Sequence, residues 1–228
     1  MNYPGGKNGS GIYQKLINLM PPHRVYIEAF LGSGAIMRLK RPAIVSIGID
    51  SDDHVLSLFP GEQIPNLTLL ETDAVKWLAS HTVSGDTLIY LDPPYLMQTR
   101  SCQRPIYRHE FSAKQHATLL RVINRLPCIV MISGYWSEMY AESLQGWRSV
   151  SFQAQTRGGK LATEWVWMNF NQPLELHDYR YLGENFRERE RIKRKRRRWR
   201  DRLLRMDSLE RHAVLMAIDE LRNQAVTS

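Results

Sequence analysis

The sequence predicts an α/β protein with a doubly wound sheet, followed by a basic helical extension. Three observations carry that prediction. Short runs rich in Val, Ile and Leu alternate with stretches of helical spacing, the pattern of strands joined by helices. The first run passes through a glycine turn into a helix start, the opening unit of a nucleotide-type binding sheet. Several runs end on an acid, at the edge where an open α/β sheet takes its ligands. With 228 residues, 43% of them hydrophobic, the chain is long and apolar enough for one good-sized domain with an appendage.

In chain order, Tyr3-Pro4-Gly5-Gly6-Lys7 is a glycine-rich turn ending in a cation, able to cradle an anionic or carboxylate group, and Ile12 to Leu19 shows helical spacing. Val25 to Phe30 reads as the first strand. In the turn that follows, Leu31-Gly32-Ser33-Gly34-Ala35, the glycines let a ligand approach the backbone and the helix start offers free N–H donors. The full dinucleotide fingerprint is absent. Ala43 to Ile49 is a second strand ending in Asp50, about 20 residues past the glycines and placed to hydrogen-bond ribose hydroxyls; a solvated loop aspartate is the alternative. Leu67 to Glu71 is a third strand, with Asp73 just beyond it.

Thr87 to Leu91 is the fourth strand, cut off by Asp92-Pro93-Pro94-Tyr95. The prolines fix φ and give up their N–H groups, which frees the local carbonyls to face a ligand. Asp92 and the Pro93 carbonyl can accept the two hydrogens of a planar exocyclic amine while Tyr95 stacks on its ring. An ordinary strand-ending turn uses the same residues, so the motif takes its meaning from its neighbours. Leu96 to Arg108 is polar and carries Arg100, Arg104 and Arg108, which reads as a mobile loop beside the site. Phe111 to Leu126 is an amphipathic helix started by Ser112. Cys128 to Ile132 is a fifth strand leading into Ser133-Gly134-Tyr135. Trp147–Phe152 and Thr163–Phe170 form a closing hairpin around Gly158-Gly159, its second arm apolar enough for a central strand.

A boundary near Pro173 separates a main domain, residues 1–173, from a helical extension, residues 174–228. Residues 184–205 hold 12 Lys/Arg against 4 Asp/Glu, so their net +8 equals that of the whole chain and the remainder is balanced. Such localisation points to a polyanion partner rather than to a generally basic fold. Glu184 to Met206 reads as one helix, and Asp207 or Ser208 can cap a second through Leu221. Trp199, Leu203 and Leu204 offer this hairpin a docking face for the main domain or for a second copy, hence a homodimer through the C-terminal helices. No apolar run reaches the ~18 residues of a membrane span, and the N-terminus lacks the apolar region of a secretory signal. The two cysteines, Cys102 and Cys128, make neither a disulfide framework nor metal-ligand spacing, which suits a reducing cytoplasm and a site without metal.

These pieces, taken in order, resemble the amino-methylating DNA adenine methyltransferases, the Dam-like family whose glycine motif precedes the catalytic one. The resemblance rests on Tyr3 to Lys7, Glu28 to Gly34, Asp50, Asp73, Asp92 to Tyr95 and Ile132 to Tyr135, and spans roughly residues 1 to 170. It implies a Rossmann-like class I methyltransferase sheet with S-adenosylmethionine as methyl donor and no metal. It also implies double-stranded DNA as partner in the cytoplasm, nucleoid-associated in a bacterial or phage-infected cell. By the same resemblance Tyr3, Lys7, Glu28, Phe30, Gly32, Gly34, Asp50 and Asp73 serve the donor, with Lys7 near its carboxylate or near Asp92. Asp92, Pro93, Pro94 and Tyr95 serve an adenine flipped from the duplex.

In one respect the chain departs from the larger members, which carry a target-recognition insert before the catalytic motif. Only 18 residues separate Asp73 from Asp92, which makes this a compact, phage- or prophage-like form. DNA contacts then fall to Arg100, Arg104 and Arg108, to Lys160 in the Gly158-Gly159-Lys160 turn, and to Arg194, Lys195, Arg196, Arg197 and Arg198. The same amine chemistry would serve adenine in RNA or a protein glutamine amide. A non-catalytic DNA-binding protein on this fold is the remaining alternative.

Overall fold

The computed structural model describes residues 7, 11–100, 104–155 and 161–226. The chain divides into two compact units, Met1–Tyr179 and Arg180–Ser228. The division falls a few residues beyond Pro173 because the intervening segment is tied to the first unit. The His177 N–H donates to the Met20 carbonyl at 2.9 Å, and buried Asp178 accepts from the Arg41 N–H at 2.8 Å.

The first unit is a seven-stranded sheet in the order β3-β2-β1-β4-β5-β7-β6. Strands β1 (Val25–Ala29), β2 (Val45–Asp50), β3 (Leu67–Glu71), β4 (Thr87–Leu91) and β5 (Ile129–Gly134) run parallel. The hairpin of β6 (Arg148–Gln155) and β7 (Leu161–Met168) closes one edge antiparallel, with β7 between β5 and β6. The turn joining those two strands lies outside the described residues, as do Tyr3, Lys160 and Cys102.

Chain direction across the sheet reverses between β1 and β4, the switch point where such sheets open a crevice beyond the strand ends. Register sets what faces it. Ala29 lies level with Leu91 on one side and Ile49 on the other. Phe30, Asp92 and Asp50, each one residue further on, therefore emerge together. The central strands are buried from Tyr26 and from Thr87 onward, with Ile27, Ala29, Ile89 and Leu91 at most 1% exposed, and this rigid floor fixes the loops above it.

Helix α1 (Ile12–Ile17) precedes β1, and α2 (Ala35–Leu39), α3 (Asp53–Ser57), α4 (Ala74–Ser80), α5 (Ala113–Ile123) and α6 (Glu138–Ser143) lie in the connections between strands. Three of these, α3, α4 and α6, are too short for a periodic apolar pattern and went unread in the sequence. Each nonetheless starts at a side-chain cap, Asp52, Asp73 and Ser137 respectively. α5 begins with the reciprocal capping box of Ser112 and Gln115.

The second unit holds α7 (Phe186–Arg205) and α8 (Ser208–Val226). Asn185 caps α7 by accepting from the Glu188 N–H at 3.0 Å. The backbone turns extended at Met206, and Asp207 accepts from the Leu209 N–H at 2.9 Å as α8 begins. α8 runs past Leu221 because Arg222 to Val226 contains neither Pro nor Gly. Among the described residues no helix is long and apolar enough to cross a membrane.

Candidate active site

Beyond β1 the chain passes through positive φ at Phe30 (69°), Gly32 (49°) and Gly34 (57°). This tight path brings the Gly32 N–H to 2.8 Å from Asp50 Oδ2 and the Leu31 N–H to 2.9 Å from the Ile49 carbonyl. A Cβ on Gly34 would run into the Phe59 ring, so glycine is required there. Phe30 holds the same backbone region with a full side chain, and its ring packs edge-on against Phe111 at 5.3 Å.

Both Asp50 oxygens are engaged, Oδ2 by Gly32 and Oδ1 by the Asp52 N–H at 3.0 Å. Burial raises the carboxyl above its ordinary value against the pull of these two donors. Asp73 spends Oδ1 on the Val75 and Lys76 N–H groups at 2.8 and 3.0 Å. Its first role is therefore to start α4, while it also stands on the cavity wall.

Burial pushes the Glu28 carboxyl up to about 8, against hydrogen bonds from the Tyr26 hydroxyl at 3.0 Å and the Met37 N–H at 2.7 Å. The ordinary value is 4.5. A proton held more tightly in the folded state stabilises it fully below that value, and the contribution is lost as pH rises through about 8. At about 1.4 kcal/mol per pKa unit, several kcal/mol of stability should disappear over that window. Glu28→Gln should flatten the loss in melts taken from about pH 5 to about pH 9. An equally steep profile in the variant would remove Glu28 as its source.

Asp92 is the hub of the site. Its Oδ1 accepts from Ser133 Oγ at 2.7 Å and faces Lys7 Nζ at 3.0 Å. Ser133 is set in turn by the Tyr90 hydroxyl at 3.0 Å. Lys7 also donates to the Tyr95 hydroxyl at 2.6 Å, sits 4.8 Å from the centre of that ring, and pairs with Glu164 Oε2 at 3.4 Å. Burial draws the Lys7 ammonium down, but the Asp92 and Glu164 carboxylates outweigh it and hold the cation well above 10.5. Tyr95 meets Tyr135 edge-on at 4.7 Å. The Pro94 carbonyl is held by His116 Nε2 at 3.1 Å, whose Nδ1 faces the Tyr140 hydroxyl at 2.9 Å. Burial lowers this imidazole to about 4, so the neutral ring donates through Nε2 and accepts through Nδ1. Among the described residues the Pro93 carbonyl takes no hydrogen bond.

The loop beyond Tyr95 is anchored from inside. Arg100 is buried; its Nε donates to the Tyr95 carbonyl at 2.7 Å and its two terminal nitrogens grip Glu110 at 3.0 and 2.7 Å. Glu110 also accepts from the Ile106 and Tyr107 N–H groups at 2.7 and 3.0 Å. Glu110 is depressed to about 2; partial burial opposes this, and the Arg100 and backbone hydrogen bonds overcome it. This corrects Arg100 as a DNA contact: the guanidinium is spent on shaping the loop. Arg104 is exposed, and Arg108 reaches Asp52 at 2.9 Å from a largely exposed position.

A cavity of about 450 Å³ opens at the switch point. Of the residues the sequence singled out, Lys7, Glu28, Phe30, Gly32, Asp50, Asp73, Asp92, Pro94 and Arg108 line it. Gly34, Pro93 and Tyr95 adjoin lining residues without lining the cavity themselves. Glu164, Ser133 Oγ and His116 complete the Asp92 cluster. Glu164 and His116 were not singled out in the sequence; the signal for Glu164 was a carboxylate inside an otherwise apolar strand. Cys128 is buried in the core, with its thiol pushed up to about 11 by burial. Among the described residues no group of three or more metal-ligating side chains converges.

No family model and no curated protein matches the chain. Solved structures do. The N-methyltransferase NodS from Bradyrhizobium japonicum WM9 superposes with a TM-score of 0.50 at 11% identity, over 70% of this chain and 94% of that one. The 23S rRNA methyltransferase ErmE gives a TM-score of 0.49 at 11% identity, over 85% of this chain and 76% of that one. The fold is the Rossmann-like sheet of class I S-adenosylmethionine-dependent methyltransferases, extended here by a basic helical segment.

Proposed function

We propose that this chain transfers a methyl group from S-adenosylmethionine to the N6 amine of an adenine flipped out of DNA. The observation that carries the reading is the seating of Asp92 beside the cavity, at the carboxyl end of β4, with Tyr95 and the unengaged Pro93 carbonyl next to it.

The cavity fits such a donor. Its volume of about 450 Å³ falls within the few hundred to about 1,000 Å³ usual for small-molecule sites. Asp50 keeps lone pairs beyond the two in use and can take ribose hydroxyls. Phe30 and Ile36 supply apolar wall. Bound there, S-adenosylmethionine supplies an electrophilic methyl group on sulfur.

The chain's own residues deal with the weakness of the adenine amine, whose lone pair is delocalised into the ring. Asp92 and the Pro93 carbonyl accept its two hydrogens, which favours a pyramidal nitrogen with a directed lone pair. As the nitrogen lone pair forms the new N–C bond, the methyl's bond to sulfur breaks and its electron pair stays on the departing thioether. The nitrogen thereby becomes cationic and gives up one proton. Asp92 is the negative group placed to stabilise that charge and receive the proton. Ser133 and Lys7 hold Oδ1 from one side, leaving Oδ2 for the amine.

The test is transfer of labelled methyl to unmodified duplex DNA, beside RNA of matched sequence. Label in DNA adenine supports the reading. Label confined to RNA moves the same chemistry to an RNA substrate. No label on either, with donor still bound, defeats the assignment to nucleic acid.

A further inference from the structure

Helix α7 carries Arg187, Arg191, Arg194, Arg198, Arg202 and Arg205, each three or four residues after the last. On an α-helix that spacing places all six within roughly a quarter of the circumference, in a row about 27 Å long. All six are exposed. Lys193, Glu188 and Glu190 fall off the row, while Lys195 and Asp201 lie about 20° outside its two edges. Ile192, Trp199 and Leu203 form a separate stripe. A groove of about 430 Å³ follows the first half of the row, with Arg187, Arg191, Arg194 and Arg198 along one side and Phe186, Glu190 and Arg197 along the other. Arg191 lies 3.6 Å from Glu188, and Arg202 stacks over Trp199 at 5.6 Å. Among the described residues Arg187, Arg194, Arg198 and Arg205 form no ion pair.

We propose that this row is a phosphate-contact surface that grips the backbone of duplex nucleic acid without reading its bases. Six cationic forks on one line need an equally regular and dense line of anions. A duplex supplies one charge per about 1.7 Å of axis. The guanidinium is also the side chain whose planar fork matches phosphate oxygens two at a time. Helix geometry thereby sorts the run singled out in the sequence: Arg194 and Arg198 belong to the row, Arg197 lines the far side of its groove, Lys195 borders it, and Arg196 projects from the opposite face. Nucleic acid as the partner rests on the function proposed above; the row itself does not depend on methyl transfer.

The experiment compares two full-length variants of equal charge. One combines Arg187→Gln, Arg194→Gln, Arg198→Gln and Arg205→Gln. The other combines Arg189→Gln, Lys193→Gln, Arg196→Gln and Arg200→Gln, which lie on the opposite face of the helix and outside the groove. Glutamine keeps helix propensity, and circular dichroism confirms equal helix content. Binding to a fluorescent duplex of about 20 base pairs is followed by anisotropy across salt, without methyl donor. At about 0.9 per phosphate contact, the row variant should lose roughly three to four units of slope in log K against log salt, and at least tenfold in affinity. The off-row variant should lose less than one unit. Equal losses in both, or none in the row variant, overturn the proposal. So does polyglutamate that displaces labelled duplex as well as unlabelled duplex does at equal charge, since the row would then serve an acidic protein. An inactive enzyme whose row variant still shows the slope change would count against the catalytic reading and leave the row standing.

Discussion

Asp92→Ala is expected to lower methyl transfer by about a thousandfold or more while methyl-donor binding stays within a fewfold of wild type. Removing one preorganised electrostatic partner of a transition state costs about 10²–10³-fold, and loss of alignment adds to it. Asp92 sits where both effects meet. It is held by the Ser133 hydroxyl and the Lys7 ammonium, so on the function proposed above it meets the amine already in place. Asp92→Asn should be nearly as damaging, because one face of the side chain becomes an N–H donor toward an amine that itself needs acceptors. Single-turnover transfer, with donor binding measured separately on the same preparations, checks both. A variant that bound donor normally and retained a tenth of the activity would show that the aspartate positions the site without taking part in the chemistry.

The second large effect is on stability. Lys7→Met should cost about 3–5 kcal/mol, the usual penalty for removing one partner of a buried charge cluster. The lysine is 5% exposed and is the cation facing both Asp92 and Glu164. Its folded value is raised above 10.5, so its contribution is full at neutral pH and lost only as pH climbs beyond that value. The deficit of the variant should therefore be constant from pH 6 to about pH 9. Adding Glu164→Gln removes one of the orphaned charges, so the double variant should recover part of the loss, with a coupling of about 0.5–3 kcal/mol. Strict additivity in denaturant melts would mean that Glu164 and Lys7 do not act on each other.

The sheet was legible in the sequence because its strands are short apolar runs punctuated by Gly, Pro and acids, and all seven appear where that pattern put them, to within a few residues. The acids at their ends were legible for the same reason, since parallel register forces Phe30, Asp50 and Asp92 to one edge. What spacing could not reveal was how those acids are occupied. Asp73 reads identically as a ligand or as a helix cap, and in the fold it caps α4 while lining the cavity. Arg100 sits in a polar loop and reads as solvent-facing; only the folded chain brings Glu110 round to pair with it from within. Glu164 lies among Trp165, Val166 and Trp167, where hydrophobic patterning hides a single carboxylate.

The position of β7 also has a consequence for assembly on the ribosome. The cation at residue 7 emerges early, but Glu164, which neutralises part of it, belongs to the strand that pairs with β5 and is made late. Until that strand is delivered, β5 presents an open edge, and Lys7 and Asp92 lack the third member of their charge cluster. Contacts of such long sequence separation form slowly. An incomplete chain of this protein thus carries the five preceding parallel strands and their glycine turn with an unfinished Asp92 cluster. The last strand to arrive both seals the sheet and balances the site.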